Sequence, residues 1–192
     1  MKFRDYGLDV LWKRQKEQGY YEYYEVEKNF YKVIDALGEF DKRDIIVKID
    51  LQVMNGYGSW GEVNSVCNAI WIKTSQYFLG RKSKYHKLPF VRAIEEKEQQ
   101  RGGVKNHAHI LIRLQDLKRF YSKQEVIDII TKICYSMNEV NSKKKKDGNP
   151  PVNVRSFPYW EDKTKDFGGA IEYICKTTTK TYDPLINGLH KN

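Results

Sequence analysis

Residues 88–114 have the sequence LPFVRAIEEKEQQRGGVKNHAHILIRL, which predicts two antiparallel strands joined by a turn. Residues 88–98 and 105–114 contain the β-branched and aromatic residues that strands favour. Residues 99–103 lie between them and end in two glycines, which interrupt regular structure. The hairpin indicates that the fold contains an antiparallel sheet.

The sequence around the hairpin predicts further strands and helices on both sides of it. They are a β-branched strand over 44–53, which we expect to be central in the sheet, a helix over 60–82, a helix over 122–141, a strand over 152–157 and a helix over 167–179. Ser122 is a plausible N-cap for the second of these helices, since Glu125 follows at the capping-box spacing. The order predicts an α+β fold, with a ferredoxin-like or palm-like (RRM-like) antiparallel sheet and helices packed on it.

The segment before residue 41 predicts a helical extension. Residues 5–18 and 20–38 have helical patterns, and the second has an apolar stripe that ends at Gly38. We therefore expect an N-terminal helical extension over 1–40 and a main domain over 41–192. The 192 residues suffice for one compact domain overall.

The composition argues against a membrane protein or a disulfide-stabilised one. Mean hydropathy is −0.72, and no apolar run approaches the roughly 18–20 residues that span a bilayer. The N-terminus has no apolar run of signal-peptide length, so we expect a cytoplasmic protein. The three cysteines, Cys67, Cys134 and Cys175, form no CxxC pair, so we expect reduced, packed thiols.

The net charge of +9 favours polyanionic partners, because lysine and arginine release counterions when they neutralise phosphates. Aromatic residues make up 14% of the chain, and exposed rings can stack on nucleic-acid bases. Residues 143–146 are four consecutive lysines, in either a solvated loop or a contact with a DNA backbone. Charge and aromatic content together point to nucleic acid.

The predicted second hairpin strand carries a candidate metal site. His107 and His109 are two residues apart, so a strand places both imidazoles on one face. Two imidazoles suit a divalent metal, and a carboxylate would complete the ligand set. The preceding strand offers Glu95 and Glu96 (Glu98 lies further along), and the sequence does not fix the register that would choose between them.

Two other metal-site patterns with an HxH motif do not match. A cupin site needs a carboxylate a few residues downstream, and a metallo-β-lactamase site needs HxHxDH. Residues 110–114, ILIRL, supply neither an acid nor a further histidine.

A second candidate feature is Tyr173 with Lys176 on the last predicted helix. The two residues are three apart and share a helix face. A phenol has a pKa of about 10, and a neighbouring ammonium together with a metal-activated electrophile makes its oxygen a usable nucleophile. An ordinary amphipathic helix with the same spacing is the alternative.

The two features in this order resemble the HUH endonuclease superfamily of replication initiators, relaxases and single-strand transposases. The match runs from about residue 45 to residue 180. The stretches PFVRAIE over 89–95 and YICKT over 173–177 look like the replication proteins of filamentous phages and related prophages. This resemblance favours Glu95 over Glu96 as the third ligand.

The resemblance implies a site-specific nickase for single-stranded or hairpin origin DNA, which initiates rolling-circle-type replication. His107, His109 and Glu95 would hold Mg²⁺ or Mn²⁺, Tyr173 would form a 5′-phosphotyrosine, and Lys176 would position the phosphate or a metal-bound water. The chain is too short to include a helicase, so a host helicase is the expected partner.

The sequence departs from the family pattern at two positions. Ala108 is smaller than the bulky apolar residue usual between the histidines, and Thr177 occupies the position of a second tyrosine. We therefore expect a single-tyrosine enzyme. A transposase or relaxase with the same chemistry and a non-catalytic nucleic-acid-binding module are the alternatives.

Overall fold

The computed structural model describes residues 33, 35–38, 43–53, 59–99, 103–140 and 150–158, with the backbone alone for 95–99 and 103–106. The elements in chain order are β1 (Ile45–Gln52), α1 (Trp60–Leu79), a 3-10 helix (Gly80–Lys84), β2 (Phe90–Gln99), β3 (Gly103–Leu114), α2 (Lys123–Tyr135) and β4 (Val152–Pro158). The final helix predicted over 167–179 lies outside the described residues.

The four described strands form one antiparallel sheet in the order β2-β3-β1-β4. The predicted hairpin is confirmed: β2 and β3 pair from Phe90 opposite Ile112 to Gln99 opposite Gly103. β1 lies between β3 and β4, as its β-branched sequence indicates. With two helices beside the sheet, the predicted α+β class is confirmed.

One face of the sheet carries the apolar core. Alternate residues of a strand point to the same face, and on β1 those residues are all apolar. They pack with the opposing residues of β3 and with both helices, and the cluster includes Ile45, Val47, Ile49, Leu51, Ala108, Ile110, Ile112, Leu114, Val63, Ile70, Val126 and Ile130. We call this side the helix face. It also holds a buried charge from β2, since Arg92 donates to Asn68 Oδ1 of α1 at 2.7 Å.

Both helices begin at a capping box. The Ser122 hydroxyl accepts a hydrogen bond from the Glu125 N–H, and Glu125 accepts one from the Ser122 N–H, as predicted. Ser59 and Glu62 make the same pair of bonds at the start of α1. In each case the serine and glutamate satisfy backbone donors that have no partner within the helix.

Both helices end before the predicted residue. The α-helical part of α1 stops at Leu79 rather than near residue 82, because Gly80 turns to φ 57° and a 3-10 helix follows. α2 stops at Tyr135 rather than near residue 141. There the chain turns so that Val140 forms a bridge to Val53, extending the line of β1.

The face of the sheet opposite the helices, which we call the second face, is covered at one end. Residues 33 and 35–37 have helical backbone, and Gly38, with φ 74°, ends this segment at the predicted residue. Arg113 on β3 donates to the Leu37 carbonyl at 2.7 Å and to Asp44 at 2.9 Å. The remaining residues of the predicted N-terminal extension lie outside the described part of the chain.

The described cysteines, Cys67 and Cys134, are both buried and reduced. Burial raises the pKa of each thiol to about 12, so neither is a reactive thiolate. No helix within the described ranges is long and apolar enough to cross a membrane.

Candidate metal centre

The candidate centre lies on the second face of the sheet, toward the end of β3 that is farther from Leu37. His107 and His109 stand side by side there, with ring centroids 5.0 Å apart and ring planes at 86°. His109 is 4% exposed, whereas His107 is partly exposed. The strand spacing thus brings the two imidazoles together as predicted.

Asp50 on β1 holds His109 by a direct hydrogen bond. Asp50 is the cross-strand partner of His109, and its Oδ1 lies 2.6 Å from His109 Nδ1. An ionised carboxylate only accepts, so Nδ1 must carry the proton of this bond. A neutral imidazole of this tautomer has its basic lone pair on Nε2, the atom that ligates metals when Nδ1 donates to a carboxylate.

Two cations lie beside Asp50. The Lys48 ammonium, 2% exposed, donates to Asp50 Oδ1 at 2.6 Å, and an Arg155 nitrogen lies 3.5 Å from Oδ2. Burial raises the pKa of the Asp50 carboxyl, but hydrogen bonds from His109 and Lys48, together with the Lys48 charge, outweigh burial and hold the pKa well below its usual range. Asp50 is therefore an acceptor at neutral pH.

The backbone register distinguishes the two candidate glutamates. Position 95 is the cross-strand partner of His107, and position 96 is the partner of Asn106. Cross-strand partners share a face of an antiparallel sheet, so the register assigns position 95 to the face of the histidines. Position 93, opposite His109, is the small residue Ala93.

The donor set is suited to a divalent cation. Two imidazole nitrogens and one carboxylate make a three-ligand face with further positions open to water or substrate. Among the side chains that the structure describes, no group of three or more His, Cys, Asp or Glu residues is placed to hold a metal. The Glu95 side chain is outside that set, so its candidacy as the third ligand is inferred from the strand pairing of position 95 with His107.

The predicted nucleophile lies elsewhere in the chain. Tyr173 and Lys176 are outside the described residues, as is the lysine run over 143–146. The structure therefore brings together two of the predicted site residues and the backbone position of a third.

Asp50 is a site residue that the sequence did not reveal. It lies 59 positions before His109 and meets it only because β1 pairs with β3. A signal was present in the sequence: an aspartate in the middle of a central, β-branched strand requires a partner if it is buried. The identity of that partner depends on strand order, which periodicity does not give.

Comparison of this chain with protein-family models, with curated proteins and with solved structures finds no match.

Proposed function

We propose that this chain is a metal-dependent endonuclease that nicks single-stranded DNA through a tyrosine nucleophile, in the manner of HUH replication initiators. The observation that carries the proposal is the oriented pair His107 and His109: the second is held by Asp50 at 2.6 Å, and position 95 lies opposite the first. A carboxylate that orients a histidine through Nδ1 is the usual support of a metal ligand.

We also propose the ferredoxin-like, palm-like arrangement for the domain. Support comes from the sheet order β4-β1-β3-β2, with antiparallel neighbours throughout, and from a helix in each connection from β1 to β2 and from β3 to β4. Two strand–helix–strand units interleaved in one sheet have this order. Such a sheet leaves the face opposite its helices available for a site.

In the proposed centre, His107, His109 and Glu95 would hold Mn²⁺ or Mg²⁺, which supplies charge to polarise the scissile phosphate. Two nitrogen donors favour Mn²⁺, since Mg²⁺ prefers oxygen ligands. Asp50 keeps the His109 ring in place through Nδ1, and the buried Lys48 ammonium favours the ionised form of Asp50. These residues position the ligands and do not contact the reacting atoms.

The nucleophile in this proposal is Tyr173. Its phenol oxygen forms a bond to phosphorus as the bond to the 3′ oxygen breaks, and the phenol proton is lost. The products are a 5′-phosphotyrosine and, after the leaving oxygen takes up a proton, a 3′-hydroxyl. Lys176, one helical turn away by sequence, stabilises charge near the phosphate. The resemblance of residues 173–177 to the family motif supports this assignment.

The proposed partners are single-stranded or hairpin origin DNA and a host helicase, in the cytoplasm of the host cell. The net charge of +9 supports a polyanionic partner. A transposase or relaxase would use the same chemistry on a different DNA target. Cleavage assays with a single-stranded origin, a transposon end or a transfer origin as the substrate would show which of these functions the enzyme has.

A non-catalytic nucleic-acid-binding module is the second candidate. His109 is 4% exposed and bonded to Asp50, and a hydrogen-bonded core histidine of this kind needs no metal. Such a module would bind DNA in a salt-dependent way without a metal requirement and without a covalent product.

The test is incubation of the full chain with end-labelled single-stranded DNA and Mn²⁺, followed by a denaturing gel. The nickase produces a shortened strand and a protein–DNA adduct, and both require the metal. The binding module leaves the strand intact whether or not Mn²⁺ is present, and that result would reject the proposed activity.

A further inference from the structure

A second surface with a distinct chemistry lies beyond the opposite end of β3. The chain leaves α1 at Gly80 and runs to residue 87 with the sequence GRKSKYHK, which has four lysines or arginines and no acid. All four of these side chains, Arg81, Lys82, Lys84 and Lys87, are exposed. This segment is the most basic stretch in the described part of the chain.

The loop after β3 joins this segment. A Cβ placed on Gly80 would lie 2.5 Å from the Lys118 ammonium, so Lys118 rests directly on the start of the 3-10 helix. Tyr121 packs edge-on against Phe78 at 5.1 Å between ring centroids, and the Arg119 guanidinium lies 3.9 Å from the centre of the Tyr121 ring. Residues 77–87 and 116–121 thus form one surface, which we call the basic–aromatic surface.

Exposed rings are concentrated on the same surface. Tyr85 is 77% exposed, Phe120 68% and Tyr77 53%. They are three of the five large exposed apolar side chains among the described residues, the others being Ile72 and Tyr135. A single exposed ring is common on proteins, whereas several rings among cations are a feature of interaction sites.

The charges of the surface are only partly neutralised. Glu125 pairs with Arg119 at 3.1 Å. Asp116, an exposed acid of the loop, adds a second negative charge. The remaining cations, which are Arg81, Lys82, Lys84, Lys87 and Lys118, leave the surface strongly positive. A partner with regularly spaced negative charges is therefore favoured over an apolar one.

We propose that the basic–aromatic surface binds single-stranded nucleic acid, with phosphates on the cations and a base stacked on Tyr85. Cationic grooves with aromatic side chains are the recognition chemistry of unpaired strands. A duplex hides the faces of its bases inside the stack, so exposed rings would have nothing to stack on. Single-stranded nucleic acid is therefore the partner that uses both features.

The surface is separate from the histidines. Positions 107 and 114 of β3 are about 23 Å apart at ~3.3 Å per residue, and the basic–aromatic surface lies beyond residue 114. The basic–aromatic surface and the proposed metal centre would both bind single-stranded nucleic acid. Binding to the basic–aromatic surface, however, requires neither the metal nor a nucleophile. A strand held here would be retained by the protein independently of any cleavage step.

The experiment measures binding of the full chain to a fluorescent oligothymidine by anisotropy, in EDTA and at several salt concentrations. Lys82→Gln with Lys84→Gln should weaken binding, and the slope of log affinity against log salt should fall by about 1.4, since each phosphate of a single strand that a lysine neutralises adds about 0.7. The matched control, Lys73→Gln with Lys132→Gln, removes the same charge from exposed helix positions and should leave the slope near that of the wild type.

The aromatic contribution is tested in the same assay. Tyr85→Ala should weaken binding by about 5- to 150-fold, which corresponds to the loss of one stacked base, and Tyr85→Phe should retain most of the affinity. Tyr135→Ala, on α2, is the matched control and should bind like the wild type. Thermal unfolding of each variant verifies that it is folded.

The proposal is overturned if the charge variant matches its control and Tyr85→Ala binds normally. It is also overturned if the variants lose affinity for duplex DNA alone, because the surface would then be a duplex-binding one. The assay is run in EDTA, without the proposed metal, and it requires no cleavage. If the nickase assignment fails, the oligothymidine result still stands. If the basic–aromatic surface does not bind oligothymidine, the proposal of a metal centre at the histidines is unaffected.

Discussion

The two faces of β1 differ in burial and in chemistry. On the helix face, Ile49 is fully buried among apolar neighbours. On the second face, Lys48 is 2% exposed and Asp50 has a side chain 24% exposed, and they are joined by an ion pair. Removal of charges from water costs free energy that pairing often only offsets, so the second face is the less favourable way to stabilise a sheet.

This difference suggests what each face is for. Apolar residues would cover the second face with a lower desolvation cost, yet the strand places Lys48 and Asp50 there and aims Asp50 at His109. Buried charges that orient a histidine are a feature of functional sites. We therefore expect substitutions on the helix face to change stability, and substitutions on the second face to change metal binding.

The largest expected effect follows removal of both imidazoles. His107→Ala with His109→Ala should abolish Mn²⁺ binding and metal-dependent cleavage, because the proposed centre would keep at most one protein ligand. Calorimetric titration with Mn²⁺ measures binding, and circular dichroism verifies the fold. Full metal-dependent cleavage by this variant would contradict the assignment of the centre.

The next effect separates the two glutamates. Glu95→Gln should greatly weaken Mn²⁺ binding, because position 95 lies opposite His107, whereas Glu96→Gln should leave it close to that of the wild type. Titration of the two variants with Mn²⁺ under identical conditions gives the comparison. The reverse order of affinities would show that the carboxylate ligand comes from the other face or another segment.

A substitution on the helix face should change stability alone. Ile49→Ala removes a fully buried side chain and should lower the free energy of unfolding by about 2–5 kcal/mol, measured by urea denaturation. The folded fraction should bind Mn²⁺ with unchanged affinity, since Ile49 points away from the histidines. A large loss of metal affinity in the folded protein would remove the distinction between the faces.

The smallest effect concerns the residue that orients His109. Asp50→Asn keeps an oxygen acceptor for Nδ1–H but loses the charge, and it should weaken Mn²⁺ binding by about 10- to 100-fold. Asp44→Asn is the control, because Asp44 is a buried carboxylate on the same face that pairs with Arg113 at the covered end. It should lower stability without weakening metal binding. Equal metal affinities for the two variants would mean that Asp50 has only a structural role.

The sequence predicted those features of the fold that depend on neighbouring residues. The β2–β3 hairpin, the β-branched central strand and the Ser122–Glu125 capping box are encoded within short windows, and all three are confirmed. The ends of the helices were less predictable. α2 stops at Tyr135, and five residues later Val140 pairs with Val53, a partner far away in sequence.

The candidate site likewise has some features that depend on neighbouring residues and others that depend on residues far apart in the sequence. The pairing of His107 with His109 follows from strand alternation, which is local. The bond from Asp50 to His109 depends on strand order, and the choice of position 95 over 96 depends on register. Neither order nor register is encoded in a single window of sequence. Tyr173 and Lys176 remain predictions from the motif over 173–177.

The most direct test of the proposed nickase is identification of the residue that becomes linked to DNA. The wild-type chain is incubated with single-stranded DNA and Mn²⁺, digested and analysed by mass spectrometry for a nucleotide attached to tyrosine. We expect an adduct on Tyr173, and neither adduct nor cleavage for Tyr173→Phe, which removes one oxygen and little volume. An adduct on Tyr159 or Tyr182, or a free 5′-phosphate without any adduct, would contradict it.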